Sequence, residues 1–569
     1  MSLKVPKAGG PSLFKDGYKH LQGIEEAVLR NIQAINELSE IVRTSFGPNG
    51  RNKMVINHLE RLFVTNDAAT IIRELEVVHP AARLLVMASQ QQEAEMGDAT
   101  NLVLIFAGEL LKKAEYLITM GLHPSEILQG YELARDKALE ELETLSVASL
   151  SSPPSVESLA LAIRPSLASK QYGQEDILAP LVAQAVSLVF PTAVEKQTAS
   201  EVRTTGGLSN INVDNVRVVK IMGGSLSESR VVRGMVFGRQ PEGSVRAVPE
   251  GGKVAIFTCG MDISQTETKG TVLLHNAKEL SAFTQGEEKQ LEKIIKEIAD
   301  SGVKIVITQS TVGELALHYL NRFEILCVKI LSKFEVRRLA RLVGATPLAR
   351  LGAPMPEEAG WVDVVETTEI GGDRVTVFRQ EDGKLGGKSK PKMATVVLRG
   401  ATANLLDDVE RAIDDGVNVI KSLTKDARLV PGAGATELEL AKRIMRFGEK
   451  TPGLNQHAIK KFAEALEVVP RTLAENAGLN ATQVVSSLYA RHEGKEGKGA
   501  EVGVDIEDES EDGTVSATSK QILDVLSAKY WALRYATGAA VNVLNVDSII
   551  MAKPAGIKAP KQNPNWDDD

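Results

Sequence analysis

Apolar positions through the first 150 residues recur at intervals of three and four. Ile24, Val28, Ile32, Ile35 and Val42 make one such series, Leu84, Leu85 and Ala88 a second, and Leu104, Ala107, Leu111, Ala114 and Leu117 a third. This spacing predicts long amphipathic helices, since a helix presents the same face about every 3.6 residues. Gly47-Pro48 ends the first helix, and Phe63-Val64 followed by Asn66-Asp67 predicts a short strand closing in a tight turn.

The pattern then changes. Ser151-Ser152 and Ser155 flank Pro153-Pro154, a combination that predicts a hinge or domain edge, and a second edge is expected near Gly223-Gly224. Beyond it, residues 254–257, 304–308 and 325–328 are short β-branched runs separated by helical patterns at 287–299 and 311–321. Strands alternating with helices predict a compact α/β unit with a largely parallel sheet. After a strand-like run at 395–398 the helical period returns, with a seam of Leu406, Val409, Ile413, Val417 and Ile420 and another helix beginning at Ile459, Phe462, Ala463 and Leu466. A helical remnant at each end would bury its apolar face poorly by itself. The two ends are therefore expected to pack together, with the α/β unit inserted between them. Residues 493–519, rich in Gly, Lys, Glu and Asp, are expected to be a solvated loop.

Composition narrows the classes. The 569 residues imply roughly three to four domains, and 43% hydrophobic with 25% charged residues excludes disordered and collagenous chains. Aromatic residues make up only 4%, so Ala, Leu, Ile and Val must fill the cores. The net charge of −8 has its acidic excess at residues 507–512 and 567–569, which argues against general nucleic-acid binding. Cys259 and Cys327, each in an apolar run, read as reduced core thiols. Without a signal-like start, and with 102–107 as the longest apolar run, the chain is expected in the cytoplasm and away from membranes.

Three motifs of common enzymes, GxxxxGK[ST], HExxH and GxSxG, are absent. What remains is a set of Gly and Asp turns at element ends: Ser45-Phe46-Gly47-Pro48, Thr65-Asn66-Asp67, Gly97-Asp98-Ala99-Thr100 and Pro431-Gly432-Ala433-Gly434. Helix N-termini with small residues before them offer free N–H groups and a positive dipole end to a phosphate chain. Asp98 in such a turn would repel phosphate unless a cation lies between, which points to Mg²⁺. Each residue also has an ordinary structural reading: Asp98 as a helix cap, Asp67 as a turn former, Asp414 and Asp415 as a solvated helix face, and Lys170 as surface charge.

Taken together, these segments resemble the group II chaperonins. The resemblance rests on TSFGPNGRNKM at 44–54, VTNDAATI at 64–71, GDATN at 97–101, LVPGAGATELEL at 429–440 and LAENAGLNA at 473–481, in order, within coverage from about residue 20 to 555. Further segments, KIMGGSLSESRVVRGMVF at 220–237, ETKGTVLL at 267–274, DDVERAIDDGVN at 407–418 and the tail IIMAKPAG followed by WDDD, resemble one subunit type of the eukaryotic cytosolic chaperonin (TRiC/CCT).

The resemblance implies a multi-domain chaperonin fold. It would have a mainly α equatorial domain from residues 1–150 and 429–569, a small α+β intermediate domain from 151–222 and 378–428, and an α/β apical substrate-binding domain at 223–377. It implies an ATPase that uses ATP and Mg²⁺ to drive ring closure. The partners would be seven paralogous subunits in an eight-membered ring, two rings stacked, and unfolded clients including actin and tubulin. By the same resemblance Ser45, Phe46, Gly47 and Pro48 lie along the phosphates, and Asp98 is the Mg²⁺ ligand, followed by Ala99, Thr100 and Asn101 at the phosphates. Asp67 and Asp415 orient and activate the attacking water, and Lys170 senses the γ-phosphate. Gly432 and Gly434 turn over the nucleotide, Asn480 lies near the base and Asp524 holds the ribose.

Departures from the family pattern are Ala68 and Ala99 for Gly, Ala433 for Gly, Asn49 for Lys and Leu102 for a hydroxyl residue. Ala at a position needing φ > 0 costs roughly 1 kcal/mol, and a lost hydrogen bond to a charged group roughly 1.5–3 kcal/mol. The expectation is a weak hydrolyser, with a nucleotide-binding structural ring subunit as the alternative. A self-sufficient ATP-using ligase or kinase is a third class. For clients, the expected surface is the helix at 333–343 with the segment 264–283: Lys333, Arg337, Arg338 and Arg341 beside an apolar set of Phe334, Val336, Leu339 and Leu342. Equally, that apolar set could pack on the sheet and leave the arginines merely solvated.

Overall fold

The computed structural model describes residues 19–22, 27–150, 154–190, 211–262, 277–380, 393–493, 498–507, 510 and 512–551. The hinge residues Ser151 to Pro153, the segment 264–276 and the acidic tail 567–569 lie outside the described residues.

One core is shared by helices from both chain ends. Helices α1 (Leu29–Arg43), α3 (Pro80–Met96), α4 (Thr100–Thr119) and α5 (Pro124–Thr144) pack with α12 (Ala435–Lys450), α13 (Asn455–Leu466), α14 (Val468–Asn476), α15 (Ala481–His492) and α16 (Leu526–Leu544). Helix α4 is buried on every side from Leu102 through Gly108, and this half therefore runs through the middle of the body. Its Phe106 meets Phe462 edge-on at 5.3 Å, and Tyr131 reaches the same ring at 5.9 Å, so the few aromatics cluster where the helices cross. The termini are joined by β1 (Lys19–Gln22) pairing with β18 (Ser548–Met551). Beside them the hairpin β2 (Lys53–Ile56) and β3 (Leu62–Thr65) leads into the short helix α2 (Ala68–Glu74).

A second core joins α6 (Val156–Ala168), α7 (Glu175–Val189) and α11 (Ala403–Lys425) to strands β5 (Val216–Met222) and β13 (Ala394–Gly400). All five residues of the predicted seam in α11 are buried, which is why this helix sits between neighbours on two sides. Strand β13 pairs parallel with β5 and antiparallel with β6 (Arg230–Phe237), and β6 continues to β12 (Asp373–Arg379) and β11 (Val364–Ile370). Gly223 and Gly224, both at positive φ, form a turn within this five-stranded sheet. The chain returns through β6 to pair with β13, so the sheet continues across the position where an edge was expected.

The third region holds a four-stranded sheet in the order β10 (Gly360–Val362), β7 (Gly252–Phe257), β8 (Val303–Thr308) and β9 (Leu326–Lys329), the last three parallel. Side chains alternate between two covered faces. Val254 and Ile256 meet α10 (Lys333–Val343), whereas Ala255 and Phe257 meet α8 (Ala277–Asp300) and α9 (Glu314–Arg322). Double coverage explains the unbroken apolar runs. Cys327 is buried in this sheet, and burial pushes its thiol up to about 12; Cys259 is half-buried, and both are free.

Residues 493–519 depart from the expected solvated loop. They carry the antiparallel pair β15 (Val502–Val504) and β16 (Thr514–Ser516), with Val504 and Ala517 buried. Polar composition concealed the hairpin because its few apolar side chains fit a gap between α12, α14 and α15 rather than forming a periodic face of their own. The remaining sheet is three-stranded, with β14 (Arg428–Pro431) between β17 (Leu523–Val525) and β4 (Ala148–Ser149). No helix among the described residues is long and apolar enough to cross a membrane.

Candidate functional site

The N-terminal ends of α2, α4 and α12 converge on a cavity of about 530 Å³. Its walls are the loop Phe46-Gly47-Pro48, the turn Asp98 to Leu102, Ala433 and Gly434, and the loop through Ser169 and Lys170. The hairpin adds Val504 to Glu507, the strand leading into α16 adds Asp524, and α16 itself adds Lys529.

Local backbone geometry shapes each wall. Gly47 has φ +82°, and a Cβ there would lie 2.5 Å from Leu473. Gly434, at φ +77°, packs against Pro470. Ala99 at φ +63° and Ala433 at φ +53° adopt the same left-handed conformation with a Cβ, each at a cost of about 1 kcal/mol relative to Gly. Ala68 behaves differently. It is the first residue of α2, helical in conformation, so the penalty expected for it does not arise.

Asp67 caps α2, its Oδ2 accepting from the Thr70 N–H at 3.1 Å and the Thr70 hydroxyl at 2.8 Å. Its Oδ1 lies 3.4 Å from Lys170 Nζ, and the same ammonium donates to Asp415 Oδ2 on α11. Burial by itself would raise the pKa of Asp67, but the Lys170 charge and the Thr70 hydrogen bonds hold it below the usual carboxylate range. Burial likewise opposes the Lys170 charge, and Asp415, Asp67 and Asp98 outweigh it, so the ammonium is retained. Asp415 is pushed up by burial and by the neighbouring Asp67 charge, with Lys170 opposing. One cation thus holds an ionised carboxylate on the helical body and a carboxylate of raised pKa on α11. That pair suits the orientation of a water molecule and the acceptance of its proton.

Asp98 is half-buried at the start of α4, its Oδ1 accepting from the Ala99 N–H at 2.7 Å. Among the described residues no group of three or more His, Cys, Asp or Glu could hold a metal ion. A lone carboxylate beside helix N-termini fits a cation that takes its other ligands from phosphate and water, as Mg²⁺ does. Asn101 ties the turns together: its Nδ2 donates to the Ser45 carbonyl at 3.2 Å and its Oδ1 accepts from the Ala68 N–H at 3.1 Å.

Not every expected residue lines the cavity. Ser45 stands behind the loop, its hydroxyl donating to the Arg51 carbonyl at 2.9 Å. Gly432 lies just beneath the cavity, its N–H donating to the Ile522 carbonyl. Asn480 caps α15 by accepting from the Gln483 N–H and is not a lining residue, and Asp415 reaches the cavity only through Lys170. The hydroxyl position held by Leu102 is a buried apolar wall. Sequence reasoning missed the hairpin residues Val504 to Glu507, Tyr172, and the buried Lys529. The Lys529 ammonium bridges Glu437 at 2.8 Å and Asp524 at 2.9 Å, an arrangement with no local signal because its members come from α12, β17 and α16.

On α10 the apolar set divides. Val336, Leu339 and Leu342 are buried against the sheet, while Phe334 remains 72% exposed beside exposed Lys333, Arg337 and Arg341. Arg338 lies 3.5 Å from Asp214. The expected apolar client face is therefore reduced to Phe334 among cations.

Comparison with known proteins gives one answer. The TCP-1/cpn60 chaperonin family model matches residues 38–554. Over the full length of both chains, the protein is 58% identical to a probable T-complex protein 1 subunit theta of Schizosaccharomyces pombe. It is likewise 52% and 51% identical to the T-complex protein 1 subunit theta of Saccharomyces cerevisiae and of Homo sapiens.

Proposed function

The chain belongs to the TCP-1/cpn60 chaperonin family, and on that premise we propose that it is an ATP-hydrolysing subunit of a hetero-oligomeric double ring that encloses and folds cytoplasmic proteins. The reading takes seven paralogous partners per eight-membered ring and unfolded clients such as actin and tubulin. It assigns the helical body to the equatorial part, the α6, α7 and α11 core to the intermediate part and the four-stranded sheet to the apical part.

The observation that carries the proposal is the Asp67–Lys170–Asp415 contact, because it assembles hydrolytic machinery from separately packed cores. Asp98 would hold Mg²⁺, which supplies charge neutralisation on the phosphate oxygens. The N–H groups at the starts of α4 and α12 orient the phosphates, and Lys170 keeps a positive charge facing them. Asp67 and Asp415 position the water, and Asp415 takes its proton. Because Asp415 rides on α11, the site is complete only when that helix is docked. Hydrolysis thereby follows closure. Asp524, held by Lys529, faces the ribose.

Assembly is supported by the β2–β3 hairpin, which exposes Met54, Ile56, Leu59 and Leu62 on a two-stranded sheet with open edges. An apolar ribbon of this kind is a pairing surface for another chain. The strained Ala99 and Ala433 and the apolar Leu102 favour slow turnover, and at its limit a subunit that binds nucleotide with little hydrolysis.

The test is the nucleotide found at this cavity in assembled rings quenched during turnover. Wild-type rings should contain ADP with Mg²⁺, and rings carrying Asp415→Ala in this chain alone should retain ATP. ADP in both would remove Asp415 from the mechanism, and intact ATP in both would favour the structural reading.

A further inference from the structure

Helix α11 carries a second buried carboxylate that the hydrolytic site does not use. Asp408 lies seven residues before Asp415, two helical turns away or about 10.5 Å along the axis, on the same face. It is 9% exposed and does not line the cavity.

Its partners come from the two segments that carry Asp67 and Lys170. Asp408 Oδ1 accepts from the Thr65 hydroxyl at 2.7 Å and from Arg411 of its own helix at 3.2 Å, and Oδ2 accepts from Gln171 Nε2. With its proton turned toward Asp408, the Thr65 hydroxyl accepts the Asp67 N–H at 3.1 Å. Asn66 knits the same two segments, its Nδ2 donating to the Lys170 carbonyl at 3.1 Å. A closed circuit results, running Asp408, Thr65, Asp67, Lys170, Asp415 and back along α11. Each segment is gripped twice, once through a residue of the hydrolytic set and once through its neighbour.

We infer that Asp408 is a positioning residue for ATP hydrolysis, a latch that docks α11 against Thr65 and Gln171 and so sets where Asp415 stands. The inference rests on the reading of Asp415 given above. The physical reason for a separate latch is that Asp415 must exchange its partners when water and phosphate are present. Its contact with Lys170 therefore cannot by itself hold the helix. Asp408 does not line the cavity, so its charge-assisted hydrogen bonds need not be exchanged during turnover. No α11 residue is among those that line the cavity, so weakening the latch should slow hydrolysis while leaving ATP capture intact.

The experiment uses assembled rings with the change in this chain alone. Photolabelling with azido-ATP labelled at the α or the γ phosphate, followed by separation of the subunits, reads binding and hydrolysis at this site independently. Asp408→Asn should slow loss of the γ label about tenfold or more, with the α label within about twofold of wild type. The exchange variant Asp408→Asn with Gln171→Glu puts the donor on α11 and the acceptor on the loop, and should restore most of the rate. Unchanged γ-label loss in Asp408→Asn, parallel losses of α label and ring stability, or slow loss that the exchange fails to restore would each overturn the inference. Asp415→Asn rings run alongside separate the two claims. If Asp415→Asn hydrolyses like wild type, the reading of the site falls. If it is blocked while Asp408→Asn is normal, only the latch falls.

Discussion

Replacing Lys529 by Met keeps the aliphatic stem and removes one ammonium from between Glu437 and Asp524. The Lys529 and Glu437 side chains are 7% and 4% exposed, so the contact at 2.8 Å is buried, whereas Asp524 is 35% exposed and loses its contact at 2.9 Å with the cavity able to solvate it. Breaking a buried pair in this way costs about 3–5 kcal/mol, since Glu437 is left as an uncompensated buried charge. Local opening of α12 and α16 should then become about a hundred to a few thousand times more frequent, at ~1.4 kcal/mol per decade. Hydrogen exchange in assembled rings reads this directly from amides of the two helices.

The pH dependence gives a second handle. Burial opposes the Lys529 charge, but Asp524 and Glu437 outweigh it and raise its pKa. The wild-type contribution is therefore fully present below the unfolded lysine value near ~10.4 and is lost only as pH rises through the higher folded value. It is flat between about pH 6 and 8. Adding Glu437→Gln to the variant should recover much of the loss, because it removes the uncompensated charge. Unchanged exchange in α12 and α16, or no recovery on adding Glu437→Gln, would refute the reasoning.

Ala99→Gly should relieve the left-handed strain at φ +63°, gaining up to about 1 kcal/mol locally, and raise γ-label loss at this site in the same photolabelling assay. Gly97→Ala should do the opposite, because φ is +75° and the new Cβ would stand 2.2 Å from Asn418 Cβ on α11; image classification of rings should find α11 undocked more often. His492→Leu removes a ring that donates to the Val502 carbonyl at 2.8 Å and faces Glu439 at 3.2 Å, so hairpin amides should exchange faster and ATP binding at this cavity should weaken. Burial would raise Glu439, but His492, Arg443 and Lys442 bring it down to about 2. Its contribution is present above the unfolded value of ~4.3 and lost as pH falls through about 2, a loss that acid titration of the wild type should show and His492→Leu should diminish. Phe334→Ala, at a 72% exposed position, should leave ring stability within about 0.5 kcal/mol while reducing capture of unfolded actin.

Several elements were legible because their signals are local. The seam from Leu406 to Ile420 became α11, the apolar runs near 254, 304 and 325 became the parallel strands β7, β8 and β9, and the helix at 333–343 has the bounds of α10. Periodicity and continuous apolar runs report which faces must leave water, and that requirement is written residue by residue. The hairpin within 493–519 was not legible. Its strands are three residues each, too short to establish a period, and they become ordered by filling a gap formed by distant helices.

The candidate site divides along the same line. The turn at Gly47 could be read as the end of a helix, and those at Asp98 and Gly434 as helix starts, because glycine and small residues at such places have a local conformational meaning. Which carboxylates share a cation could not be read, since Lys170 and Asp415 are 245 residues apart and Asp408 reaches Thr65 across 343. The same holds for α10, where Phe334 and Val336 look alike in sequence and only the sheet beneath decides which is covered. The sequence by itself determined the helices, the strands and the turn chemistry, because backbone propensity and burial pattern act between near neighbours. Only the tertiary structure decided the charge pairings, the left-handed strain at Ala99 and Ala433 and the walls of the cavity. Those depend on the low-dielectric space between elements, which exists only after distant segments have packed.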